Sequence, residues 1–192
     1  MSKSFRLPLV AAIAAIMSLS AHATTQAVTA DQWYEFDVSD SVSLSGGTEW
    51  IDINDNSALS FSFTIDPGYV GSLTVVDTGY AGDTFKVFNG ATLLGATSSV
   101  PVGIYPDAAG IVDPEAALLD PSFSRATFVL QAGHYVIHGA LFQSALFEAG
   151  GAPLNATIGD LRLAVAAVPE PETLAMLLAG LGFIGFVARR RA

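Results

Sequence analysis

The chain between residues 33 and 168 is rich in stretches where apolar and polar residues alternate with period 2. Leu59-Ser60-Phe61-Ser62-Phe63-Thr64-Ile65 is the clearest case: Leu59, Phe61, Phe63 and Ile65 share one face and small hydroxyl residues share the other. That pattern predicts a half-buried strand, which Asp66-Pro67-Gly68 ends as a turn. Further strands are predicted over Trp33–Val38, Glu49–Ile53, Ser72–Asp77 with Leu73 and Val75 inward, and Leu161–Val168. Thr84–Phe88 and Ala91–Gly95 flank Asn89-Gly90, whose preference for left-handed angles predicts a type I′ hairpin. Arg125–Leu130 and His134–Phe142 flank Gln131-Ala132-Gly133, predicting a second hairpin. No long helical period appears in the body, although Ala116–Leu119 suits one helical turn. Many short strands with turn signals between them predict an all-β fold, an antiparallel β-sandwich or jelly roll. The first and last strands, Trp33–Val38 and Leu161–Val168, are expected to pair.

Two segments break the alternation. The N-terminus carries Lys3 and Arg6, then a mostly apolar run from Leu7 to Leu19, then Ala21-His22-Ala23. A basic start, an apolar stretch and an A-x-A site predict a secretory signal peptide over residues 1–23, cleaved at Ala21/Ala23 so that the mature chain starts near Thr24. The C-terminus carries Pro169-Glu170-Pro171, an apolar run of 15 residues from Leu174 to Ala188, and Arg189, Arg190 and Arg191. As a transmembrane helix this run reaches about 22 Å, against a hydrocarbon core of about 30 Å. Snorkelling arginines extend that reach, and they should remain cytoplasmic, with the body on the far side. Pro169 and Pro171 fix φ and hold the residues before them extended, a shape suited to a protease or transpeptidase. The division is therefore a leader at 1–23, a β-sandwich domain at 24–167 and a tail at 168–192.

Composition sharpens this picture. The chain is 51% hydrophobic and 14% charged, an apolar balance to which both ends contribute. It has no cysteine, which excludes disulfides and thiolate chemistry. Residues 24–168 hold sixteen acidic residues against three basic ones, Lys86, Arg125 and Arg162. A body this acidic repels nucleic acid and anionic membrane surfaces and attracts cations.

Little in the body points to catalysis. His134 and His138 are its two histidines once His22 leaves with the leader. On a strand they lie about 13 Å apart, too far to share a metal. Asp52-Ile53-Asn54-Asp55-Asn56 resembles a calcium loop, but the sixth and twelfth positions of that loop hold Ser57 and Phe63 rather than Gly and Glu. Asp77 and Asp83 flank a Gly-rich turn, and Asp107, Asp113, Glu115 and Asp120 crowd the longest loop; converging loops of this kind can supply a structural calcium. Otherwise these aspartates form turns and caps, and no cofactor is expected. No spacing singles out an acid–nucleophile pair for glycoside hydrolysis. Trp33, Tyr34, Trp50, Tyr69, Tyr80 and Tyr105 are candidates for stacking on sugars.

The order Val168-Pro169-Glu170-Pro171, apolar helix, Arg189-Arg190-Arg191 resembles the PEP-CTERM sorting signal of exopolysaccharide-producing Gram-negative bacteria. That resemblance implies an exosortase, an integral-membrane cysteine transpeptidase analogous to sortase, as the processing partner. It would recognise Pro169-Glu170-Pro171 and remove the helix and arginines. A transient stay in the inner membrane, and then the cell surface or the extracellular, biofilm-associated matrix, would follow. Val76 to Gly90, read with Leu94-Gly95-Ala96-Thr97-Ser98, is similar to a group of secreted proteins with the same tail. Phe128 to Tyr135 is similar to a block found in carbohydrate-binding-like sandwiches. These likenesses imply a β-sandwich and bring no activity. The expected function is a non-catalytic surface protein, with an exopolysaccharide-binding module as the alternative and a secreted hydrolase as a remote one.

Overall fold

The computed structural model describes residues 23–108, 110, 113–168, 176–181 and 189–190. Strands β1 (Ala23–Ala27), β3 (Ala58–Ile65), β8 (Gly133–Gln143), β5 (Thr84–Asn89) and β6 (Thr92–Ala96) form one sheet in the order β1-β3-β8-β5-β6. Strands β2 (Trp33–Ser39), β9 (Ala156–Ala167), β4 (Tyr69–Asp77) and β7 (Arg125–Leu130) form the other in the order β2-β9-β4-β7. The predicted sandwich is the observed fold.

Alternation explains the core. Phe36 and Val38 of β2, Leu59, Phe61, Phe63 and Ile65 of β3, Leu73 and Val75 of β4, Phe85 and Val87 of β5, and Leu161 and Leu163 of β9 fill the space between the sheets. Trp50 joins them, stacked on Phe36 at 3.9 Å between ring centroids. A smaller cluster of Val76, Ala81, Ala117 and Phe123 holds helix α1 (Pro114–Leu119) beside β4. Asp113 caps that helix, its Oδ1 accepting from Glu115 N–H at 3.0 Å, as a short acidic side chain at an N-cap does.

Four expectations need correction. β1 pairs with β3 in parallel, so the first sheet is mixed rather than purely antiparallel. Glu49–Ile53 makes only isolated bridges, Glu49 to Ala140 and Ile51 to Asp37 and Ala58; Ile51 lies in contact with both sheets and cannot extend a ladder in either. β7 and β8 are not a hairpin. β7 pairs with β4 and β8 with β3 and β5, so Gln131-Ala132-Gly133 carries the chain from one sheet to the other. The β5–β6 hairpin is real, but its two-residue loop is Gly90-Ala91, and of those only Gly90 has a positive φ, 52°. That φ pattern belongs to a type II′ turn, with glycine first. Asn89 remains in the strand, where its Oδ1 accepts from Val136 N–H at 3.0 Å.

Among the described residues no helix is long and apolar enough to cross a membrane. Residues 176–181 are helical and exposed, a piece of about 9 Å at 1.5 Å per residue. The remainder of the predicted span 174–188 lies outside the described residues.

Candidate functional site

The tail leaves the domain from its interior. β9 pairs with β2 on one side and β4 on the other, and its pairing with β4 runs to Ala167 opposite Tyr69. Val168 N–H then donates to Gly68 O at 2.8 Å, in the Asp66-Pro67-Gly68 turn. The expected pairing of first and last predicted strands is present, with β2 and not β9 at the sheet edge. Pro169, Glu170, Pro171, Arg191 and the leader residue Ala21 lie outside the described residues. Ala23 opens β1, and Arg189 and Arg190 are helical and exposed.

A cleft of 590 Å³ lies where β1 and β2 meet the 52–54 turn. Gln26, Trp33, Tyr34, Glu35, Asp37 and Asn54 are among its walls. Arg162 lies over the Trp33 ring at 4.4 Å and pairs with Glu115, which accepts from Trp33 Nε1 at 3.1 Å. Tyr34 is fixed by its hydroxyl, which accepts from Thr29 N–H at 2.8 Å. Burial pushes the Asp37 carboxyl up to about 6, and the charges of Glu35, Asp52 and Asp160 add to the rise. The cleft thus offers an aromatic wall, amide groups and carboxylates.

A second polar group closes one end of the core. Leu73, Val75 and Asp77 alternate inward along β4, and Thr157, Gly159, Leu161 and Leu163 along β9. Asp83 precedes the inward Phe85 and Val87 of β5. Asp77 and Asp83 are both fully buried. Burial raises the Asp77 carboxyl to about 9, with the Asp83 charge adding to it. Burial likewise raises Asp83 to about 6, against the Thr157 hydroxyl and Ala145 N–H, which favour its charge. Thr157 Oγ1 stands beside Asp83 without reaching hydrogen-bonding geometry. The sequence drew attention to this acid pair, but only the inward register shows that both carboxyls enter the core.

Other candidates resolve into structural parts. Trp50 is fully buried and is no sugar platform. Its ring packs on Phe36 and meets Phe61 and Phe85 edge-on. Asp52 Oδ1 accepts from Asn54 N–H at 2.9 Å and Nδ2 at 2.7 Å, and Asp55 Oδ1 accepts from Ser57 N–H at 2.9 Å. Those are Asx turns. Asp120 accepts from Ser122 through N–H and hydroxyl, bonds that lower its carboxyl. His134 meets Thr64 Oγ1 at 3.3 Å, and His138 lies 2.9 Å from Gly90 O and stacks on Phe88. Tyr80 and Tyr105 pack edge to face. Among the described residues no group of three or more His, Asp or Glu side chains is placed to hold a metal.

Residues 167–191 match the PEP-CTERM protein-sorting motif. No curated protein matches the chain. A solved structure, the pre-peptidase C-terminal domain of a collagenase from Bacillus anthracis, resembles the chain with a TM-score of 0.37 and 7% identity. The match covers 75% of this chain and 96% of that one.

Proposed function

We propose that this PEP-CTERM protein is exported, cut at the Pro169-Glu170-Pro171 strip by an exosortase and passed to the cell surface or extracellular matrix as a non-catalytic β-sandwich. The observation that carries this reading is the junction. The matched motif begins at residue 167, where the last strand ends, so the tail follows the domain without a linker. The body is read as non-catalytic because it holds only two histidines, and one of them, His138, is engaged by Gly90 O and stacked on Phe88. Intact mass of the protein recovered from its host tests the reading. The expected species starts near Thr24 and ends close to Pro169–Pro171, with any extra mass there revealing an attachment. A species that keeps residues 174–192 in the membrane of a host possessing the enzyme overturns it.

Carbohydrate binding is the second reading, favoured by the cleft beside Trp33. Stacking aromatics flanked by carboxylates and amides suit a polyhydroxylated chain, whose rings present apolar faces and whose hydroxyls both donate and accept. Affinity gel electrophoresis on the host's exopolysaccharide should show retardation that Trp33→Ala removes. Retardation unchanged in that variant, or absent in the parent, counts against it.

A further inference from the structure

We propose that Asp77, Asp83 and Thr157 form a binding site for a hard divalent cation of the calcium type. One oxygen of each carboxylate accepts a well-formed hydrogen bond, while the Asp83 N–H near Asp77 and the Thr157 hydroxyl near Asp83 lie in looser geometry. Asp77 Oδ1 accepts from Gly79 N–H at 3.2 Å and Asp83 Oδ1 from Ala145 N–H at 2.6 Å. The second oxygens, Asp77 Oδ2 and Asp83 Oδ2, are buried without a hydrogen-bond partner among the described residues, and so is Thr157 Oγ1. Asp77 and Asp83 are 0% exposed and Thr157 6%. Buried polar atoms are ordinarily paired, and an unpaired buried charge is among the costliest things a fold can hold.

The three basic residues of the described body are each engaged elsewhere. Lys86 Nζ lies over the Phe142 ring at 4.0 Å. Arg125 Nη1 donates to Asp120 O at 3.0 Å, and Arg162 is taken by Glu115 and Trp33. Those are the body's three basic residues. The pair must therefore be balanced by a proton or by a cation from solution, and the proposed site takes the cation.

The donor set selects its kind. Two carboxylates neutralise a divalent ion, and oxygen-only ligands without imidazole or thiolate favour calcium or magnesium over transition metals. Calcium takes about six to eight oxygens, leaving places for backbone carbonyls and water. Gly79 packs directly against the third donor: a Cβ there would lie 2.3 Å from Thr157 Oγ1 and 2.6 Å from Ile158 N. Gly79 and Thr157 also line a cavity of 230 Å³ that Asp37 borders.

Calcium alone is the probe. Full-length protein in mild detergent, stripped with EDTA, is titrated with calcium while melting temperature and bound ion are measured. The expected result is one ion per chain and a Tm rise of about 5 °C or more at saturation. Asp77→Asn and Asp83→Asn should abolish both, whereas Asp52→Asn, in the Asx turn, should retain them. Should the Asn variants not fold, Thr157→Val should weaken binding about tenfold or more. Absence of bound calcium and of a Tm shift in the parent overturns the proposal and leaves a proton shared between the carboxyls. Undiminished binding in the Asp83→Asn or Thr157→Val variant, or its loss in Asp52→Asn, places the ion elsewhere and overturns it equally.

Discussion

Replacing Asp160 by Asn should stabilise the protein at neutral pH and flatten its dependence on acid. Asp160 is 7% exposed, opposite Glu35 of β2 in the sheet register. Burial raises its carboxyl from 3.8 to about 6; the Thr78 hydroxyl, donating to Oδ2 at 2.8 Å, pulls the other way, and the charges of Glu35 and Asp113 add to the rise. The folded state thus holds this proton more tightly than the unfolded state. The associated stability is fully present below about pH 4, is lost as pH rises through about 6 and is flat beyond. A displacement of this size corresponds to about 3 kcal/mol, trimmed to about 1–2 by the carboxylate's residual contact with water. Asn keeps an acceptor for Thr78 and cannot ionise. Urea melts in EDTA, followed by fluorescence of the buried Trp50, compare the two proteins at pH 4, 5, 6 and 7.5. The advantage of Asp160→Asn should be near zero at pH 4 and grow to about 1–2 kcal/mol at pH 7.5. A difference that stays constant with pH, or a variant less stable than the parent at pH 7.5, refutes the reasoning.

Other consequences follow from packing and from the tail. Gly139→Ala would place a Cβ 2.2 Å from Cε2 of the fully buried Trp50 ring; overpacking of about 1–3 kcal/mol should lower Tm by about 3–10 °C in a calorimeter. Phe123→Ala, at a residue 1% exposed beneath α1, should cost about 3–5 kcal/mol in denaturant melts. A Gly-Ser-Gly-Ser insertion after Val168 should leave release of the body by the processing enzyme intact or faster, as judged by immunoblot of cells and medium. Blocked release would mean that the enzyme reads the domain surface as well as the tail.

The strands were legible because their two faces differ. Leu59 to Ile65 alternates without exception and became β3 with its bounds within one residue of the expectation. What failed was partner choice. Gln131-Ala132-Gly133 has the local chemistry of a hairpin, yet the residues that decide its role are Thr74 and Thr64, far away in sequence, which face Thr127 of β7 and His134 of β8. β1 escaped notice because Ala23 to Ala27 is short and carries no apolar alternation, and its pairing depends on β3. The polar end of the core was half legible. The parity of Leu73, Val75 and Asp77 can be read from the sequence, but the closure of Asp83 and Thr157 on the same end depends on how two sheets stack. The sorting motif, a purely local signal, was legible, and residues 167–191 match it.

Position within the sandwich relates the two proposed sites. In the β4–β9 ladder Tyr69 faces Ala167 and Asp77 faces Gly159. The tail therefore leaves at one pole and the buried acid pair lies at the other, about 26 Å away along the strand at about 3.3 Å per residue. Severing the chain beyond Val168 removes none of the β9 partners, since β2 and β4 pair only with residues up to Ala167. On the proposed reading, processing changes where the domain is held without changing the domain. The cation then performs a separate task, tying β4, the entry to β5 and β9 together across the two sheets after the anchor has gone. Calcium affinity should therefore be the same in the full-length precursor and in the processed protein. A difference would mean that tail and acid pair communicate through β9.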